Sequence, residues 1–266
     1  MPLIRFDSLD DPRLIPYRNL KAANMKRHRE LFVAEGTKLV ERLIASDFTT
    51  DSVLLSEKRV PEWESRIPAE VPIYVVSEEL GRDLVGFNFH VGVVAVGRRK
   101  RNPTLESVIS KDAGTLTLVV LPWCDNPENL GAIIRISRGF GVDAMLLGHG
   151  CCDPFSRRVL RVSMGTAFKL PIIESRDLAA DMQRLSEEWG VEFAATILDP
   201  DAAPLHEAQR SPRFGILFGN EHAGLAPEWI ARCQQRLTIP MTGDTDSLNV
   251  AIAAGIFLHH FTRNLS

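Results

Sequence analysis

Short runs of consecutive apolar residues, rich in Val, Ile and Leu, alternate along the chain with longer stretches in which apolar positions recur every three or four residues. That alternation is the pattern of parallel sheets joined by crossover helices, because strands buried on both faces read as unbroken apolar runs. In the first hundred residues, 31–36 (LFVAEG), 52–56, 72–77 and 91–97 predict strands, and 38–46 places Leu39, Val40, Leu43 and Ile44 on one helical face. Further along, 115–121 (TLTLVVL), 143–148, 191–198, 214–219 and 236–240 predict strands, with helices expected over 127–140, 178–189, 227–233 and 248–261. The segment 98–104 (RRKRNPT) has no apolar residue to bury and contains Pro103, so a domain boundary is expected there, between residues 1–104 and 105–266. The fold expected is α/β in two domains, without internal repeats.

The 266 residues include 31 Lys and Arg against 34 Asp and Glu, a net charge of −3, with 45% hydrophobic and 24% charged residues. Such a composition excludes fibrous, collagen-like and wholly disordered classes. Cys124, Cys151, Cys152 and Cys233 show no C-x-x-C spacing, which argues for a reducing cytoplasm and against a zinc site, and no metal is expected. No apolar run approaches the roughly 20 residues needed to span a bilayer, and the charged start MPLIRFDSLDDPRL does not read as a signal peptide, so a cytoplasmic location is expected. The charge is unevenly spread: residues 13–42 carry eight basic and three acidic side chains, a local +5, while 106–266 carry −5. A basic cluster of that size suits phosphate binding and equally suits a solvated helix face.

Three loops carry candidate chemistry. The first, 125–135 (DNPENLGAIIR), follows a buried strand; Asp125 or Asn126 can cap the helix and Pro127 suits its first turn, at the strand end where ligands meet parallel sheets. Arg135 sits among isoleucines, where an arginine either snorkels or is held for a purpose. The second loop, 217–225 (LFGNEHAGL), allows backbone to approach a ligand closely, yet it is neither the dinucleotide fingerprint nor a phosphate-binding P-loop. The third, 239–250 (IPMTGDTDSLNV), leads into an apolar helix with Ser247 as expected N-cap, and the small residues Ala251, Ala253, Ala254 and Gly255 suit close packing.

Together the loops resemble the three motifs of the SpoU (TrmH-like) branch of the SPOUT RNA methyltransferases: N-x-G-A-I-x-R, G-x-E-x-x-G-L and I-P-M-x-G-x-x-x-S-L-N-V, in order. The stretches 161–165 (RVSMG) and 168–171 (FKLP) add to the resemblance, which covers about residues 115–262. Residues 18–97, through 32–38 (FVAEGTK), resemble less specifically the L30e-like substrate-binding domain that precedes many members' catalytic domain.

The resemblance implies methyl transfer from S-adenosylmethionine to a ribose 2′-hydroxyl in RNA, 23S-type rRNA first and tRNA as the alternative. It also implies a catalytic domain with a deep trefoil knot, and a homodimer, in which residues of one subunit lie near the other's site. Carried over by position, Phe218, Gly219, Ile239, Met241 and Leu248 bind the cofactor, largely through backbone. Arg135 matches the family's proposed catalytic arginine, and Asn129, Glu221, Ser247 and Asn249 match the other polar motif residues. Glu221 is expected to orient Arg135 or Asn129, and Asn249 to hold the knot loop and substrate. A guanidinium is a reluctant base, so Arg135 is expected to position the target phosphate and stabilise the developing alkoxide, with direct proton abstraction as the family's alternative. Arg18, Lys21, Lys26, Arg27 and Arg29 are expected to contact RNA. Two rivals remain on the sequence: a Rossmann-like small-molecule enzyme, which lacks its glycine fingerprint here, and a non-catalytic RNA-binding protein that kept the fold.

Overall fold

The computed structural model describes residues 3–20, 30–242 and 247–263. In the first part of the chain the elements are β1 (Leu3–Arg5), β2 (Leu31–Glu35), α1 (Thr37–Ile44), β3 (Thr50–Ser56), α2 (Val60–Trp63), β4 (Ile73–Val76), α3 (Glu78–Val85) and β5 (Val93–Arg98). Then follow α4 (Leu105–Val108), β6 (Leu116–Leu121), α5 (Pro127–Gly139), β7 (Ala144–Leu147), α6 (Arg157–Val162), β8 (Ile172–Glu174) and α7 (Leu178–Trp189). The last group is β9 (Glu192–Thr196), β10 (Ala203–Pro204), β11 (Arg213–Leu217), α8 (Pro227–Ile230), β12 (Gln235–Thr238) and α9 (Val250–Thr262). By their contacts these residues form two compact units: residues up to 101 together with 155–168, and residues 102–154 together with 169 onwards.

The first unit holds a five-stranded sheet in the order β1-β4-β3-β5-β2. β4 runs parallel to β1 and β3, whereas β5 is antiparallel to both β3 and β2, so this sheet is mixed and not parallel as the apolar pattern suggested. An apolar run buried on both faces reads alike whichever way the strand points, so the pattern carries burial but not direction. The segment 155–168 contributes α6 to this unit, with Arg157 and Arg161 both paired to Glu35 at the end of β2. Phe32 is fully buried and packs its ring against Phe48, Phe155 and Phe168 at centroid distances of 5.6, 5.6 and 5.4 Å.

The second unit is a seven-stranded sheet ordered β10-β12-β9-β11-β6-β7-β8, every pair parallel. All six residues of β6 and all four of β7 are buried, the reason these strands read as continuous apolar runs. One face is covered by α7, whose Leu178, Met182, Leu185 and Trp189 recur at helical spacing and join Leu118, Val120, Leu146 and Phe193 in one core. Elsewhere α5 packs on α9, with Phe140 edge-on to His259. A methyl group placed on Gly255 would lie 3.8 Å from Ile136, an ordinary contact, so a glycine is not forced at that position by close approach. Among the described residues no helix is long and apolar enough to cross a membrane.

Removing the ring that centres the first unit's aromatic cluster tests how much holds residues 155–168 in place. Phe32→Ala is expected to lower stability by about 3–5 kcal/mol, read as a lower urea midpoint at unchanged slope. A loss under about 1 kcal/mol would show that the cluster closes without it.

Candidate functional site

Four parallel strands of the second unit, β6, β9, β11 and β12, end at one edge of the sheet, and the loops that follow them enclose the chemistry. A cavity of about 560 Å³ lies against the loops after β9, β11 and β12 and the start of α9. Its size falls in the range of small-molecule and cofactor sites. Phe218, Gly219, Ile239, Met241 and Leu248 all line it. So do residues that sequence patterns did not single out, notably 196–199 after β9, where the polar break of TILDP at a strand's carboxyl end was the available signal.

Gly219 shapes the wall. A Cβ there would fall 2.4 Å from the Gly224 carbonyl carbon and 2.5 Å from the Leu225 nitrogen, both backbone atoms, so no side chain fits. The turn between them is closed by Asn220 and Gly224, whose N–H groups donate to each other's carbonyls at 3.0 and 2.8 Å. The Asn220 side chain accepts from the His222 N–H at 2.9 Å and donates to Asp125 at 3.2 Å, tying this turn to the loop after β6. The result is a pocket walled by main chain and by apolar side chains such as Ile230, Met241 and Phe257. It suits a ligand with a flat apolar ring and a polar tail, and S-adenosylmethionine meets that description.

Beside the cavity, and sharing Gly219, Asn220, Glu221 and Val250 with it, is a crevice of about 10 Å³ bounded by residues 123–126 and Asn129. Asn249, not Ser247, caps α9: its Oδ1 accepts from the N–H groups of Ala251 at 2.9 Å and Ile252 at 3.4 Å. Both residue types cap helices well, and Asn249 is selected because its other end also has partners. Its Nδ2 donates to Asn129 Oδ1 at 3.0 Å and to Glu221 Oε1 at 3.1 Å. The orientation of each amide follows from that network. Asn129 must turn its oxygen toward Asn249, which leaves its Nδ2 as a buried donor without a partner among the described residues, on a residue that is only 6% exposed. The helix it belongs to is capped separately, by Asn126 accepting from the Glu128 N–H at 2.9 Å.

The structure thus brings Asn129, Glu221 and Asn249 into one hydrogen-bonded group, with Ser247 exposed on the cavity rim. Glu221 reaches Asn129 only through Asn249. Arg135 is not in that group: it lies exposed on α5, lines neither cavity nor crevice, and makes no hydrogen bond or ion pair with the described residues, so the expected Glu221–Arg135 contact is absent from the chain. Arg18 is exposed and donates to the Leu9 carbonyl, while Lys21, Lys26, Arg27 and Arg29 lie outside the described residues. Three thiols stand near the crevice. Burial pushes Cys151 up to about 12, Cys152 up to about 11 and Cys124 higher still, so all three are neutral at physiological pH and none offers a thiolate nucleophile. Among the described residues no group of three or more His, Cys, Asp or Glu is placed to hold a metal ion.

Comparison with known proteins identifies relatives across nearly the whole chain. The family model described as the SpoU rRNA methylase family matches residues 116–259. A protein of Mycobacterium tuberculosis named as an uncharacterised tRNA/rRNA methyltransferase is 34% identical over 263 residues, covering 96% of this chain and 90% of its own. The 23S rRNA (guanosine(2553)-2′-O)-methyltransferase RlmP of Bacillus subtilis is 28% identical over 260 residues, covering 96% and 98%. Among solved structures, the AdoMet-bound rRNA methyltransferase of Sinorhizobium meliloti superposes with a TM-score of 0.85 at 28% identity over 99% of both chains.

The wall at Gly219 makes a direct test of the cavity. Gly219→Ala is expected to fold but to lose more than about tenfold, ~1.4 kcal/mol, in affinity for S-adenosylmethionine by calorimetry. Unchanged affinity in the folded variant would place the ligand elsewhere.

Proposed function

The chain belongs to the SpoU rRNA methylase family, and on that premise we propose that it transfers the methyl group of S-adenosylmethionine to a ribose 2′-hydroxyl of 23S-type rRNA. The names of the Bacillus subtilis and Sinorhizobium meliloti proteins support the substrate and the cofactor. The observation that carries the reading is the adjoining of a cofactor-sized cavity to a crevice that holds a buried, unpaired amide donor.

S-adenosylmethionine would supply an electrophilic methyl sulfonium: an O–CH3 bond forms as the S–CH3 bond breaks, the cofactor leaves as a neutral thioether, and the hydroxyl proton passes to Glu221. Asn129 Nδ2 donates to the ribose hydroxyl oxygen and fixes its direction of attack. Glu221, engaged by Asn249 through Oε1, accepts the hydroxyl's hydrogen bond with its other oxygen. Asn249 holds both and the loop from β12, and Ser247 contacts substrate or cofactor at the rim. Arg135 acts on the ribose phosphate, stabilising the alkoxide as it develops.

Because Arg135 is exposed and lines neither its own chain's cavity nor its crevice, we assign it to the site of a second copy in a homodimer. The exposed Ile252 and Ile256, 56% and 39% accessible and one turn apart on α9, support a dimer through that helix. The first unit is assigned to RNA capture as an L30e-like domain, with Arg18, Lys21, Lys26, Arg27 and Arg29 on phosphates, supported by the local +5 of residues 13–42. The loop from β12 into α9 is assigned to the trefoil knot that the motifs imply. Four free cysteines fit a cytoplasmic protein that meets ribosomal RNA there.

Tritium from labelled S-adenosylmethionine is expected in 23S rRNA when total RNA is the substrate; label confined to tRNA would overturn the substrate, and no label the activity. Arg135→Ala is expected to abolish transfer with cofactor affinity within severalfold, and Arg135→Lys to fail as well, because the fork geometry is lost. Lost cofactor binding in folded Arg135→Ala would overturn its assignment to the RNA. Light scattering should give twice 29.6 kDa; a monomer at micromolar concentration would exclude action on a second copy.

A further inference from the structure

We propose that Trp123 is a stacking platform for the base of the target nucleotide, which leaves the RNA stack and lies on the indole while its 2′-hydroxyl enters the adjoining crevice. The inference rests on the methyltransferase reading and names a subsite within it.

Of the four tryptophans, Trp63 and Trp189 are fully buried and Trp229 is partly so, whereas Trp123 is 53% exposed. It borders the crevice together with Asn129 and Glu221. An exposed indole offers a large flat contact area at small entropic cost when its surroundings hold it in place, as they do here. Its neighbours Pro122 and Cys124 are buried, and the Cys152 N–H donates to the Cys124 carbonyl at 2.9 Å. Gly150 lies directly against the indole: a Cβ there would be 2.7 Å from Trp123 Cγ and 3.1 Å from Cδ1. The ring is seated before any ligand arrives, which lowers the entropy lost on binding.

The second observation is independent. Asn129 Nδ2, on a side chain more than nine-tenths buried, has no partner among the described residues and belongs to the same crevice. An unmet buried donor is costly and marks a place for an acceptor from a ligand. The crevice, about 10 Å³, admits a hydroxyl group and not a ring. A nucleotide meets both demands, because its 2′-hydroxyl and its base are borne on adjacent carbons of one sugar. Aromatic side chains take any base by its π-face, and enzymes that act on a nucleotide commonly splay it out in this way.

Three variants test the subsite: Trp123→Ala, Trp123→Phe and Gly150→Ala, the last leaving the indole in the chain but pushing it off its seat. Each is measured for thermal stability, mass, affinity for S-adenosylmethionine, affinity for a 23S rRNA transcript without cofactor, and methyl transfer to that transcript. Trp123→Ala is expected to fold as a dimer, bind S-adenosylmethionine normally, weaken RNA binding about tenfold and lower kcat/KM for RNA in proportion. Trp123→Phe should recover most of the loss, and Gly150→Ala should resemble Trp123→Ala. A folded Trp123→Ala that binds and methylates RNA like the wild type overturns the proposal, as does one that becomes monomeric or loses cofactor affinity. A wild-type protein that methylates no RNA defeats this inference together with the functional reading; an active wild type with an unaffected variant defeats this inference alone.

Discussion

Asn249 commits both ends of one amide, and the geometry around the cavity follows from that. Its oxygen takes the free N–H groups at the start of α9, so its nitrogen can only donate, and the two acceptors it finds belong to the first turn of α5, which follows β6, and to the loop after β11. Three segments that follow different strands are thereby tied at one atom pair. A helix cap of this kind is worth about 1 kcal/mol, and the bond to Glu221 is strengthened by the carboxylate's charge. The arrangement also orders what it touches: Asn129 is turned so that its own nitrogen faces the crevice unpaired, and Glu221 keeps one oxygen free. An asparagine in this position therefore does for the site what no hydrophobic contact can do, since it dictates which groups donate and which accept.

Charge is sparing elsewhere in the site. The neighbouring thiols are kept neutral by burial, and most of the cavity wall is backbone or apolar. Gly219 makes that possible, since its missing side chain lets the 219–225 turn fold back on its own main chain. Selectivity in such a pocket comes from shape and from main-chain groups, with few polar side chains to share in it.

The catalytic unit was legible in the sequence to the extent that its strands are buried on both faces. β6, β7, β9 and β11 stand as unbroken apolar runs and were read within a residue or two. β8 and β10, with three and two residues, are too short to carry any period, and α2, α4 and α6 are barely longer than a turn. The direction of β5 was not legible for the reason that burial has no direction. In the site, the motif loops pointed to Asn129, Glu221 and Asn249, but local pattern placed the cap at Ser247, because the partners that make it Asn249 come from two distant segments. Trp123 and Asn220 gave no signal, being single residues in loops whose roles arise from neighbours such as Gly150 and Asp125.

The Phe32 cluster bears on how the chain matures during synthesis. Phe32 and Phe48 emerge early, yet the rings that complete their burial, Phe155 and Phe168, are more than a hundred residues further on. The first unit thus cannot close its core when its own strands have been made, and must wait, with aromatic surface open to water, until β6, α5 and β7 of the other unit have followed it off the ribosome. The two units are interleaved in time even though each has a sheet of its own, and a nascent chain halted before residue 155 would present its chaperones with an unfinished hydrophobic face.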